Sequence, residues 1–223
     1  MAKDYDVFVP HILPLCPGAP DFLIERVARD AIIELCQDAR VLRRQIDPIT
    51  LVVGEYEYDL EPPANTVVHD IDYISYKGDL LKPVTARMLE RDTPDWRSRT
   101  SSRPRLYMKY KPDTLIVVPK PTATVADALD ISLILKPSRS SITFDDELFE
   151  EYFDTIVNNI LARLMRMPKK DWTDKQSSAE YYALYHSDIE RIRREARKAT
   201  GGVAPVVSYG GIGGASGKLS DSW

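Results

Sequence analysis

The chain has 223 residues, with 30 basic and 34 acidic side chains, and its formal charge of −4 gives no general attraction to nucleic acid. Its two cysteines, Cys16 and Cys36, lack metal or redox spacing, and no apolar run approaches the roughly 20 residues of a membrane span. The opening MAKDYDVFVP has no apolar core of signal-peptide length, so the expectation is a soluble chain held in a reducing cytoplasm with both thiols free.

Pro10, Pro14 and Pro17 punctuate the first segment and predict an extended arm over residues 1–18. Pro20 then stands where a first-turn proline is tolerated, and Asp21 favours a helix start. From Phe22 to Arg44 the apolar residues Leu23, Val27, Ala31, Ile32, Leu35, Ala39 and Leu42 recur at helical spacing. The opposite face carries Glu25, Arg26, Arg29, Asp30, Glu34, Asp38 and Arg40, a mixture expected of a solvated face or a subunit contact.

From Thr50 to Lys136 the apolar period changes from 3.6 to 2. Leu51 with Val53, and Tyr56, Tyr58 and Leu60, make two short runs separated by Gly54. Val67 to Tyr76 predicts a longer strand, followed by a turn at Lys77, Gly78 and Asp79. Arg105 to Tyr110 and Thr114 to Val118, joined by Lys111-Pro112-Asp113, form the clearest hairpin, and Leu129, Ile131, Leu133 and Leu135 the last strand. A short helix is expected over Thr85 to Arg91, and a loop carrying Trp96 over Thr93 to Arg103.

Thr143 to Thr200 reads as two long helices broken at Pro168. The first is capped by Thr143 with Asp146 three residues on, and Asp145, Glu147, Glu150 and Glu151 complement its dipole. Leu148, Tyr152, Ile156, Ile160 and Leu164 form its buried stripe. The second starts at Thr173 or Asp174, with Ala179, Tyr182, His186, Ile189 and Ala196 expected to face inward and Gly201 and Gly202 to end it. Such a hairpin needs a third helical partner, which the segment after Pro20 supplies. The expected fold is therefore α+β: a three-helix bundle from residues 19–47 and 143–200, an inserted small antiparallel β domain at 48–142, and an extended C-terminal arm at 201–223.

That last segment is rich in glycine and serine, yet Val203, Val206, Val207, Tyr209, Ile212, Leu219 and Trp223 are spaced apolar anchors, the pattern of an arm that orders on a partner. Its GGIGGASGKLS is not a phosphate loop: Ile212 stands where the first glycine is needed, Leu219 follows Gly217-Lys218, and no helix comes after. His11, His69 and His186 have no second ligand one helical turn away, so neither a metal nor a cofactor is expected; His186 is read as a core side chain. The acidic cluster Asp146, Glu147, Glu150 and Glu151 offers the single enzymatic alternative, on a cell-wall or nucleic-acid substrate, but a helix start attracts such residues anyway. Arg191, Arg194, Arg197 and Lys198 are the one basic asymmetry, either completing a helix C-terminus or meeting an acidic partner.

The order of these elements resembles the head-to-tail adaptor (connector) proteins of tailed bacteriophages. The resemblance is carried by ERVARDAIIELCQDARVLRRQID, GEYEYDLEPPA, SYKGDLLKPVT, PRLYMKYKPDTLIVVPKP, EEYFDTIVNNILARLMRMPKKDW and SSAEYYALYHSDIERIRREA, and spans about Leu13 to Ala199. Asn159 and Ile160 stand where such adaptors often carry small residues. The resemblance implies a non-enzymatic virion protein, made in the host cytoplasm, that forms a dodecameric ring at the head–tail junction. DNA would pass through its lumen without specific binding and without any membrane. It further implies that the arm from Val203 to Trp223 holds the portal protein, that Arg191, Arg194, Arg197 and Lys198 touch the portal or a neighbouring subunit, and that the strand-rich part faces the tail nozzle or fibres. A tail terminator is the structural alternative.

Overall fold

The computed structural model describes residues 2–199. The chain runs through β1 (Ala2–Asp4), a 3-10 turn (Tyr5–Phe8), α1 (Val9–Ile12), α2 (Asp21–Ala39), β2 (Arg43–Leu51), β3 (Glu57–Asp59), β4 (Thr66–Tyr76), β5 (Asp79–Leu80) and β6 (Lys82–Pro83). It continues through α3 (Ala86–Asp92), β7 (Thr100–Ser101), β8 (Leu106–Lys111), β9 (Thr114–Val118), β10 (Lys120–Pro121), β11 (Val125–Pro137), β12 (Thr143–Asp145), α4 (Asp146–Met165) and α5 (Lys175–Ala199). Two four-stranded sheets have the orders β2-β11-β4-β5 and β3-β9-β8-β6, and β1 with β12 and β10 with β7 make two small ones.

This corrects the expected fold class. The described residues form a mixed α+β fold in which strands outnumber helices, not a three-helix bundle carrying a small inserted domain. Three causes are visible in the residues. The helix after Pro20 stops at Ala39 because Arg40 turns left-handed (φ 56°), and the chain from Arg43 enters a nine-residue strand. β4 and β11 reach 11 and 13 residues, so the sheets are not small, and the pairings β6 with β8 and β10 with β7 are parallel. Finally, the first segment folds where an extended arm was expected. Pro10 falls in the first turn of α1, where its missing N–H costs nothing, and Tyr5, Phe8, Ile12 and Cys16 are buried.

The chain divides into two units. The first comprises residues 2–43, 62–69 and 134–199, and in it α4 packs on both α2 and α5. Ile24, Ile32, Leu35, Leu148, Ile156, Ile160, Leu164 and Tyr185 fill the space between these helices. The cap of α4 is Asp145, which accepts from the Glu147 amide at 3.2 Å, because Thr143 is used by β12 instead. Asp174 caps α5, accepting from the amides of Gln176 (3.0 Å) and Ser177 (3.1 Å). On α5 the inward stripe is Ser178, Tyr185, Ile189 and Ile192, while Ala179, Tyr182 and His186 face solvent. His186 is thus no core residue; it lies at the edge of the Tyr182 ring, centroids 4.3 Å apart.

The second unit comprises residues 44–61 and 70–133. Here the sequence is followed closely: Lys77 and Gly78, both at positive φ (51° and 86°), close the two-residue turn between Tyr76 and Asp79, and β8 pairs with β9 as the expected hairpin. Trp96 lies inside the core of this unit with Val84, Leu89, Leu106, Met108, Ile116 and Val118. Its indole N–H donates to Glu90 Oε1 at 3.2 Å, and the Arg97 guanidinium covers its ring at 4.3 Å.

Candidate functional site

The helices of the first unit are joined by a polar seam rather than by apolar contact alone. Glu34 on α2 accepts from Asn159 Nδ2 and from Arg163 Nη2 on α4, each at 2.6 Å, and Arg163 Nε donates to Asn159 Oδ1 at 3.0 Å. One turn further along α2, Asp38 accepts from the Tyr185 hydroxyl at 3.3 Å, and its backbone carbonyl accepts from Arg193 Nε at 2.6 Å. Asn159 and Tyr185 are buried, so these bonds satisfy groups that water cannot reach. Burial, and then the nearby Glu34 and Asp38 carboxylates, push the Tyr185 hydroxyl well above the ordinary tyrosine range.

Beside this seam, where α4 turns into α5, the surface opens into a cleft of about 760 Å³. It is lined by Glu34, Asn159, Arg163, Arg166, Lys175, Ser178, Ala179 and Tyr182, among others. Arg166 and Lys175 are exposed and make no ion pair among the described residues, while Glu34 is engaged by Arg163. The cleft therefore presents two uncompensated cations beside an aromatic ring. It has the character of a receptor for acidic and apolar groups. The Ser178 hydroxyl donates to the Ala162 carbonyl at 2.7 Å and is thereby committed to the helix joint.

The residues singled out from sequence are distributed differently. Arg191 and Arg194 are exposed on α5; Arg191 pairs with Asp188 (3.2 Å) and Glu195 (3.6 Å), and Arg194 Nε donates to the Glu190 carbonyl at 3.2 Å. Arg197 and Lys198 continue the same helix, but their side chains lie outside the described residues, as do Val203, Val206, Val207, Tyr209, Ile212, Leu219 and Trp223 entirely. Of the acidic cluster, Asp146 and Glu150 hold Lys3 of β1 at 2.9 and 2.7 Å, with the ammonium 3.8 Å from the Phe149 centroid. Those carboxylates clamp the N-terminal strand.

Among the described residues no three His, Cys, Asp or Glu side chains are placed to hold a metal ion, and no helix is long and apolar enough to cross a membrane. Both cysteines are free and buried, and desolvation pushes their thiols up to about 11 (Cys16) and about 12 (Cys36). The cleft is not legible from periodicity, because Glu34 falls on a mixed-charge face expected to be solvated or to meet a subunit, and Asn159 lies outside the stripe of Leu148, Tyr152, Ile156, Ile160 and Leu164. The one available signal was the spacing of Asn159 and Arg163, a polar pair at i and i+4 within a buried helix face.

Compared with known families, residues 9–207 match the pattern of the SU10 adaptor proteins. No curated protein matches the chain.

Proposed function

The chain belongs to the SU10 adaptor protein family, a family of phage head–tail adaptors, and from that premise we propose that it assembles as a dodecameric ring joining the portal to the tail. The supporting observation is the extent of the match, which takes in every described helix and both four-stranded sheets. The chain is thus a structural component of the virion at the head–tail junction. In this reading DNA passes through the lumen without specific binding, which suits an acidic chain, since strong cationic contacts would hold the phosphates that must slide past.

The segment from Val203 to Trp223 is the portal-binding arm of this proposal, with Val206, Val207, Tyr209, Ile212 and Leu219 as its intermediate anchors. Arg191, Arg194, Arg197 and Lys198 lead into it and meet the portal or a neighbouring subunit. The strand-rich unit meets the tail nozzle or fibres.

A chain truncated after Thr200 tests the arm. The expected product keeps its far-ultraviolet circular dichroism and its thermal midpoint but no longer joins portal-bearing heads. Normal joining by the truncated chain would refute the arm, and electron micrographs showing a hexameric ring would place the protein among tail terminators instead.

A further inference from the structure

Two exposed features of the first unit are complementary and cannot meet within one copy. The cleft at the α4–α5 joint offers the free cations Arg166 and Lys175 beside Tyr182, whose ring is 48% exposed. On the first turn of α2, Phe22 is 72% exposed. It is preceded by the exposed Asp21 and followed one turn on by Glu25, neither of which makes an ion pair among the described residues. Phe22 thus presents an open aromatic ring with two carboxylates beside it. Arg26, also one turn on and exposed, offsets one of these charges, so the knob keeps a net negative charge.

α2 itself measures the separation. Glu34, which lines the cleft, stands twelve residues beyond Phe22, which is about 18 Å along the axis and about 120° around it. Knob and cleft therefore project from different places on one rigid helix. A contact between them must involve a second copy; repeated in one direction from copy to copy, it is heterologous, the kind that closes into a ring when the rotation allows.

We propose that the Asp21-Phe22-Glu25 knob of one copy seats in the Arg166-Lys175-Tyr182 cleft of the next, with Phe22 against the Tyr182 ring and the carboxylates facing the cations. The proposal rests on the adaptor reading above and specifies which surfaces hold the ring together.

The test uses full-length chains carrying Phe22→Cys or Tyr182→Cys, mixed in head–tail particles and oxidised. Cys16 and Cys36 are buried with raised thiols and contribute little background. The expected product is a disulfide-linked heterodimer that neither chain forms alone, and the double variant should give a ladder of linked copies. Separately, Asp21→Lys should abolish the ring, and adding Arg166→Glu with Lys175→Glu should restore it, with circular dichroism unchanged throughout. Rings that form without the Phe22→Cys to Tyr182→Cys link would overturn this interface and leave the adaptor reading standing. Absence of any ring from the unaltered chain would overturn both.

Discussion

Asn159, on a helix face that is otherwise apolar, is buried at 1% exposure and gives its side-chain amide to Glu34 across the α2–α4 contact at 2.6 Å. The same carboxylate oxygen holds Arg163, so one acceptor serves two donors from a single helix. Removing it by Glu34→Ala leaves both donors without their partner, and the Asn159 amide cannot turn to water. Hydrogen bonds to charged groups contribute about 1.5–3 kcal/mol, and the partial exposure of Glu34 (31%) and Arg163 (37%) puts the expected loss toward the lower end. Asn159→Leu removes donor and acceptor together and should cost less. Urea unfolding of the two variants checks this. If Glu34→Ala is within about 0.5 kcal/mol of the unaltered chain, the contact is an ordinary surface ion pair.

This junction also shows where the sequence stopped being informative. Local chemistry was legible: Asp174 caps α5, Lys77-Gly78 makes the turn its glycine demands, and the hairpin around Asp113 has nearly the expected ends. Choices that depend on a distant partner were not. Tyr181, Tyr182 and Tyr185 wrap around α5, and periodicity alone picks Tyr182, which is exposed; Asp38, more than a hundred residues earlier, selects Tyr185 instead. Likewise Pro10 and Pro14 argued against regular structure, but the partners that draw Phe8 inward are the aromatic side chains of β12 and α4. The anchors from Val203 to Trp223 remain a sequence reading only, since they lie outside the described residues.

Phe8 measures how much that N-terminal segment matters. It is fully buried, with its ring centroid 5.7 Å from Phe144, 5.6 Å from Phe149 and 6.1 Å from Phe153. Truncation to alanine empties the centre of this cluster, and substitutions of this kind cost about 3–5 kcal/mol. For a chain of this size each kcal/mol lowers the midpoint by about 2–4 °C, so calorimetry of Phe8→Ala should register a large fall. A dispensable arm would show almost none.

Tyr185 sets a limit on alkaline stability. Its hydroxyl is raised chiefly by burial and further by the Glu34 and Asp38 carboxylates, and Tyr107 and Tyr152 are pushed up to about 12, mainly by burial. An unfolded tyrosine titrates near 10, so between pH 10 and the folded values the unfolded chain has released protons that the folded chain still holds. Stability is therefore complete below about pH 10 and falls as pH rises, with a slope of about 1.4 kcal/mol per pH unit for each fully protected hydroxyl. Tyr185→Phe removes one such group together with its bond to Asp38. At pH 8 the variant should be less stable by about 0.5–1.5 kcal/mol for the lost hydrogen bond. Because it no longer carries that slope, its unfolding free energy should converge on that of the unaltered chain near pH 11 and exceed it above. Urea midpoints measured from pH 8 to 11.5 distinguish converging curves from parallel ones, and parallel curves would mean that Tyr185 ionises as readily in the folded chain as in the unfolded one.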